Sequence, residues 1–415
     1  MVKLAVEGWK SNDSASCKRK IRPRLAVLLT HPVQYYSPVF KALAEAMPIH
    51  VFYEVQEKYT VFDKGFGVDV RWDTPLFEGY EYSYLPNWSF KPGMDHFLGL
   101  ISPGACSQIL NWRPDAVLVY GWKYWTHLTV MRTLHRVGVP VLFRGDSTNL
   151  DVKSAGLRDA ARQCCLRWVY KHVDIALYVG SRNKEYFESA GLQNQQLVFA
   201  PHAVDNDLFA RSLDRRAGLR QNLGIADQDI VYLFVGKLEP RKAPDLLIEA
   251  FKRVDSAKTH LIVVGTGVME SWLRAQASER VHFVGFQNQS VMSHWYAASD
   301  VLVLPSSWGE TWGLVINEAM ASGLPIIASD KVGAAMDLVA HGRNGYVFKS
   351  GDPISLADAM RRMITDNNGL EEMGKRSIEM NRSWSVGCQV AGIKTGLRIA
   401  LNKRGRQCSV KQLTD

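Results

Sequence analysis

The sequence predicts an α/β protein of two doubly wound parallel sheets facing a central cleft. Three observations carry that expectation. Short apolar runs alternate with amphipathic helical stretches, and the alternation restarts once after a polar interval. The chain of 415 residues is also long enough for two or three domains, each with its own core.

The elements follow in order. Leu25–Leu29 reads as a first buried strand, Tyr36–Met47 as a helix and His50–Tyr53 as a second strand. Ala116–Tyr120 and Val139–Phe143 read as strands around a helical Thr126–Val137, and the strand Ile175–Val179 precedes a helical Arg182–Ser189. The polar stretch Asp205–Asp229 then breaks the pattern, which puts a domain boundary near residues 210–225. Ile230–Val235 opens the second series, followed by a helical Leu246–Val254 and strands at Leu261–Val264, Val281–Val284, Val301–Leu304 and Pro325–Ala328. A final helix, roughly Val386–Leu401, can pack on either domain. The division expected is a basic tail (1–23), a first Rossmann-like domain (24–210), a second (225–385), and a terminal helix with a basic tail (386–415). Lys58–Pro103, aromatic with Trp72 and Trp88 but weakly patterned, reads as a binding wall or lid.

Composition narrows the class. An apolar fraction of 47% and a charged fraction of 22% are those of an ordinary globular protein. The net charge of +9 points to anionic partners, without a nucleic-acid signature. Much of the excess sits at the ends, in Lys18, Arg19, Lys20, Arg22 and Arg24 and in Lys403, Arg404, Arg406 and Lys411. Such runs are usually solvated tails; the sharper reading is contact with a membrane surface, where each cation gains roughly 1 kcal/mol beside anionic lipid. Cys17, Cys106, Cys164, Cys165, Cys388 and Cys408 show no paired metal-ligand spacing, so no metal is expected. Adjacent Cys164 and Cys165 suit a buried helix in a reducing compartment. The first 24 residues lack an apolar core, and no stretch approaches the roughly 18 apolar residues that span a bilayer. The expectation is a cytoplasmic protein, soluble or peripheral on the inner face of the membrane.

Chemistry concentrates after the strands of the second half. Gly236 lets the backbone approach a ligand after Ile230–Val235, and Lys237 and Lys242 can converge on an anion; Arg241 is expected to point to solvent. Gly265-Thr-Gly267 reads as a tight turn, and Phe286 as either a base-stacking ring or core. The richest segment is Trp308-Gly-Glu-Thr-Trp-Gly-Leu-Val-Ile-Asn-Glu318, a loop running into a helix. Glu310 precedes the helix start and Glu318 lies inside it, in a mostly apolar stretch where a carboxylate needs a reason. Thr311, Trp312, Gly313 and Leu314 supply backbone N–H groups between the two carboxylates. A phosphate with hydroxyl groups on both sides suits that arrangement, and a nucleotide-sugar is such a ligand.

The segment Glu310-Thr-Trp-Gly-Leu-Val-Ile-Asn-Glu-Ala-Met-Ala-Ser-Gly-Leu-Pro325 resembles the signature of the retaining glycosyltransferases of family 4. Gly236-Lys-Leu, Lys242-Ala-Pro-Asp245, Val281-His-Phe-Val-Gly-Phe286, Asn344-Gly345 and the turn Ala200-Pro-His-Ala-Val-Asp205 resemble further parts, over about residues 175–365. The resemblance implies a GT-B fold, a nucleoside diphosphate sugar as donor substrate, no required metal or cofactor, and transfer with retention to a hydroxyl acceptor. By resemblance, Lys237 and Lys242 bind the diphosphate, Glu318 the ribose and Glu310 the transferred sugar. The chain departs from the pattern with Lys237 for Arg, Ala243 for Gly, Asp337 for Glu and His202-Ala203 for Asn-Gly. The family's first-domain histidine is also missing; Arg144-Gly-Asp-Ser-Thr148 stands in its place. Asp146 or Ser147 is the expected replacement, with Arg144, His202, and His31 and Gln34 of the segment Thr30–Pro38 as further candidates on the acceptor and sugar side. Trp122, Tyr124 and Trp125 can stack on an acceptor or serve the core. The implied work is synthesis of a polysaccharide, glycolipid or other glycoconjugate. The alternatives are a GT-B epimerase of nucleotide-sugars and a non-enzymatic nucleotide-sugar-binding protein.

Overall fold

The structure is a computed structural model that describes residues 22–56, 61–63, 68–70, 73–151, 156–210, 215–365 and 369–405. Lys18, Arg19, Lys20, Trp72, Arg406, Lys411, Cys17 and Cys408 lie outside the described residues. The first domain holds β1 (Leu25–Leu29), β2 (Ile49–Tyr53), β3 (Val61–Asp63), β4 (Val68–Val70), β5 (Glu81–Tyr84), β6 (Ala116–Tyr120), β7 (Val141–Arg144), β8 (Ile175–Tyr178) and β9 (Leu197–Phe199). Seven of them form a sheet of order β5-β2-β1-β6-β7-β8-β9, parallel throughout, and β3 pairs with β4 antiparallel. The second domain holds β10 (Ile230–Val235), β11 (Thr259–Val264), β12 (Val281–Gly285), β13 (Val301–Leu304), β14 (Ile326–Ser329) and β15 (Gly345–Phe348). They form a parallel sheet of order β12-β11-β10-β13-β14-β15.

The inner strands of both sheets are buried on both faces, which is why they read as unbroken hydrophobic runs. Along β1, Ala26 and Leu28 face one cluster with Val130 and Leu134, while Leu25 and Val27 face the other with Val39 and Phe40. Along β10, Val231 and Leu233 pack against Ile316 and Met320, and Tyr232 and Phe234 against Leu247 and Met360.

Three expectations change and one open reading is decided. The weakly patterned insert contributes β5 to the sheet edge, a strand hidden by its polar sequence Glu-Tyr-Ser-Tyr. The chain already packs on the second domain before residues 210–225: the helix Asn206–Phe209 sets the Phe209 ring beside Tyr296, and the Phe209 carbonyl accepts from Ser322 Oγ at 2.5 Å. The final helix, Val386–Lys403, returns to the first domain, where Ile393, Leu397 and Ala400 join the cluster around β1. Cys164 and Cys165 also differ: they lie on the helix Leu157–Tyr170 but are exposed. Among the described residues no helix is long and apolar enough to cross a membrane.

Several hydrogen bonds between the domains come from segments that follow strand carboxyl ends. Tyr35 after β1, Asp146 after β7 and Ser181 after β8 meet Glu318 and Thr311 after β13 and Asp337 after β14. The two sheets therefore point their carboxyl ends at one shared cleft, the usual place for a ligand in such folds.

Candidate active site

After β10 the chain passes Gly236 and Lys237 and turns through Pro240–Lys242 into the helix Pro244–Val254. Gly265, at the end of β11, must be glycine: a Cβ there would lie 2.0 Å from the carbonyl oxygen of Gly236, at a φ of +128°. Ala243 joins turn to helix in the left-handed region, with φ 49° and ψ 46°, and so aims the preceding Lys242 back at the cleft. Left-handed backbone is costly for alanine, so Ala243→Gly is expected to raise stability by ~0.5–1 kcal/mol after the added freedom of the unfolded glycine is subtracted. Urea unfolding measures this, and a lower midpoint would contradict it.

Lys242 Nζ donates to Glu310 Oε2, and Ser306 Oγ donates to the same oxygen over 2.9 Å. Ser329 Oγ in turn holds the Ser306 carbonyl at 2.5 Å. Glu310 is almost buried, and its backbone is pinned by Gly333 N, which donates to the Glu310 carbonyl at 3.0 Å. Lys237, which follows Gly236, is half-buried. Arg241 differs from expectation: it bonds Glu239 at 2.5 Å and the Gly309 carbonyl at 3.2 Å instead of pointing free into solvent.

Gly313 takes a positive φ of 98°, which turns the chain into the short helix Val315–Ala321. Trp312 contributes only its backbone here, because its indole is buried on Trp384 and donates to Asn317 at 2.8 Å. Glu318 is buried in the first turn of that helix. Its Oε1 accepts from Tyr35 at 2.7 Å and its Oε2 from Tyr296 at 2.5 Å. Burial pushes the Glu318 carboxyl up to about 7, and the two tyrosine hydroxyls draw it back only in part. Beside it lies a cavity lined by Val235, Gly236, Val264, Phe286, Met292, Val315 and Glu318, and closed from the first domain by Gln34 and Tyr35.

Across the cleft, the loop after β7 is laced to the second domain. Thr311 Oγ1 donates to Asp146 Oδ2 at 2.9 Å, Gly309 N to Asp151 at 2.7 Å, and Lys331 Nζ to the Leu150 carbonyl at 2.8 Å. Burial pushes the Asp146 carboxyl up, but His202 and the hydroxyl of Thr311 outweigh it and leave the group at about 2. His202 stands 3.9 Å from Asp146 between the rings of Tyr36 and Trp312, and burial lowers its imidazole below the ordinary value. Arg144 corrects the sequence reading. Its fully buried guanidinium donates to the carbonyls of Ala200 (2.6 Å) and Pro201 (3.0 Å), so it props the interdomain turn rather than facing a substrate. Ser147 is held by its carbonyl, which accepts from Asn183 at 2.8 Å, and His31 pairs with the neighbouring Thr30 hydroxyl at 2.8 Å. Neither is brought to Glu310 by a hydrogen bond. Among the described residues no group of three or more His, Cys, Asp or Glu side chains could hold a metal ion.

The sequence profile described as glycosyl transferases group 1 matches residues 216–380, which carry Lys237, Lys242, Glu310 and Glu318. Residues 216–380 are a group 1 glycosyltransferase domain. The "D-inositol 3-phosphate glycosyltransferase 2" of Catenulispora acidiphila is 33% identical over 192 residues, covering 42% of this chain and 44% of that protein. An uncharacterised glycosyltransferase of Methanocaldococcus jannaschii is 31% identical over 161 residues, covering 37% and 41%. The chain thus spans less than half the length of these curated relatives. Two solved structures share the whole architecture. Anabaena HepE in complex with UDP and glucose superposes with a TM-score of 0.67 at 19% identity, over 90% of this chain and 99% of that one. Sucrose-phosphate synthase from Thermosynechococcus elongatus gives 0.69 at 20%, over 92% and 100%. The fold is GT-B.

Sequence reasoning missed the residues that hold Glu318 and those that join the two domains. Tyr35 and Tyr296, the partners of Glu318, look like ordinary aromatics in a helical or loop context. Ser181 donates from its N–H and its hydroxyl to Asp337 at 2.9 and 2.5 Å, in a contact that brings Gly180 against the Trp312 ring. Such contacts leave no periodic trace, because each depends on segments that only the fold brings together, 283 residues apart for Tyr35 and Glu318 and 156 for Ser181 and Asp337.

Proposed function

We propose that the protein transfers a sugar from a nucleoside diphosphate donor to a hydroxyl acceptor, with retention of anomeric configuration and without a metal. The observation that carries this reading is the convergence of Lys242 on Glu310 beside an apolar cavity floored by Glu318. The cavity suits a nucleoside: Phe286, Val264 and Met292 offer apolar walls for a base. The free lone pairs of the Glu318 oxygens accept from ribose hydroxyls. A uridine donor is supported by the UDP bound to the Anabaena protein of the same fold.

Lys237 and Lys242 supply the positive charge that the departing diphosphate needs, the largest electrostatic contribution to such a transfer. As the bond from the anomeric carbon to the phosphate oxygen breaks, its electron pair stays on that oxygen. The acceptor oxygen bonds to the anomeric carbon from the same face, and its proton passes to the departing phosphate. Glu310 orients the sugar hydroxyls, and Asp146 approaches them from the first domain through Thr311. A cytoplasmic setting and a role in glycoconjugate synthesis fit this chemistry.

A panel of nucleotide-sugars tests the reading. One donor class is expected to raise the Tm, and its nucleoside diphosphate is released when hydroxyl acceptors are added, with the product keeping the donor's anomeric configuration by NMR. An inverted product removes the retaining step, and a panel in which no donor binds removes the whole reading.

A further inference from the structure

Between β5 and the helix Ala105–Asn111 the chain makes an excursion whose backbone is tied by its own side chains. Asn87 Nδ2 donates to the Gly99 carbonyl at 2.9 Å, and Asn87 Oδ1 accepts from Ser89 N and Ile101 N, each at 3.0 Å. Ser89 Oγ donates to the Leu98 carbonyl at 2.6 Å, and His96 Nε2 meets the Lys91 carbonyl at 3.0 Å. Gly93 and Gly99 are packed backbone to backbone, so that a Cβ on Gly99 would lie 1.9 Å from the Gly93 oxygen. Lys123 Nζ (2.9 Å) and Tyr124 OH (2.7 Å) both donate to the Met94 carbonyl, which pins the loop beside the carboxyl end of β6 on the cleft side.

This built loop faces its largest apolar side chains outward. Trp88 is 72% exposed, Phe90 106%, Met94 44%, Phe97 41% and Leu98 52%. Single exposed apolar residues are unremarkable, but a cluster on one ordered loop marks an interaction surface. Its charge selects the partner. Lys91 and Lys123 are exposed on and beside it against one exposed acid, Asp95, in a chain of net charge +9. Aromatic and aliphatic tips flanked by lysines are the composition of an element lying in the lipid interface, whereas the core of a protein–protein contact is depleted in lysine.

We propose that residues 86–99 dock on an anionic bilayer, with Trp88, Phe90, Met94, Phe97 and Leu98 entering the interface. The loop then turns the first-domain side of the cleft toward the membrane and admits a hydroxyl acceptor carried on a lipid. The acceptor clause rests on the glycosyl-transfer reading; the docking does not.

Flotation of the full chain with vesicles of phosphatidylglycerol and phosphatidylethanolamine, and with pure phosphatidylcholine, tests the docking. The wild type is expected to float with the anionic vesicles, and less so as salt rises. The combined Trp88→Ser, Phe90→Ser and Phe97→Ser variant is expected to bind at least tenfold more weakly with an unchanged Tm. Phe90→Ser alone, at a fully exposed site, keeps the test valid if the combined variant folds poorly. Wild-type flotation of these variants, or no flotation of the wild type, overturns the proposal. A concentration-dependent dimer that the variants abolish, without vesicle binding, assigns the loop to a second copy and overturns it too. Nucleotide-sugar binding measured on the same samples shows separately whether the transfer reading stands.

Discussion

Lys242→Ala is expected to lower kcat by roughly 10²–10³-fold, the usual loss when one charge stabiliser of the departing group is removed. The lysine precedes the left-handed Ala243, and its ammonium donates to Glu310; on the proposed reading a diphosphate takes that ammonium over. Glu310→Gln removes the opposite member of the pair and is expected to cost a similar factor. The two losses do not add, because each single change already breaks the shared contact. Initial rates at saturating donor, with the double variant in the same assay, check both statements. A Lys242→Ala enzyme that keeps more than about a tenth of wild-type kcat contradicts the assignment, given that a lost stabilising charge costs at least tenfold. The stability change is a separate quantity: Ser306 still donates to Glu310 when Lys242 is gone, so the carboxylate is not left bare. Any fall in Tm should therefore be read beside kcat and not in place of it.

The extent to which the sequence disclosed this site follows from how each residue is held. β1, β6, β10 and β13 are observed where the apolar runs put them, since strands buried on both faces admit no other composition. The Glu310–Glu318 segment was legible because its chemistry is local: one loop, one short helix, two carboxylates. β5 was not, because four residues of the sequence Glu-Tyr-Ser-Tyr, none of them buried at the sheet edge, lack the apolar run that marks the inner strands. Arg144 shows the opposite failure. An arginine at a strand's carboxyl end looks like an anion contact, yet its partners are backbone carbonyls of residues 200 and 201, which only the fold brings there. Asp146 and Thr311 meet across the cleft for the same reason.

Glu318→Gln is expected to stabilise the protein at pH 8 and to do so far less at pH 5. The fold raises this carboxyl from an ordinary 4.5 to about 7, chiefly by burial. Its protonated form is the one the fold prefers, so the favourable contribution is complete below 4.5 and is lost as pH rises through 7. Above 7 the buried carboxylate costs on the order of 3 kcal/mol relative to its unfolded state, from about 1.36 kcal/mol per unit. A glutamine keeps partners for Tyr35 and Tyr296 while carrying no charge, so it removes that cost. Urea midpoints of wild type and variant at the two pH values measure the difference, and a gap that does not change with pH contradicts it. The same change should weaken donor binding about tenfold, since hydrogen bonds to a charged acceptor are worth roughly 1.5–3 kcal/mol. A carboxylate that destabilises the fold at neutral pH and strengthens a ligand's hold is a residue kept for the ligand. Stability and affinity moving in opposite directions is therefore the signature that separates a ribose acceptor from a structural glutamate.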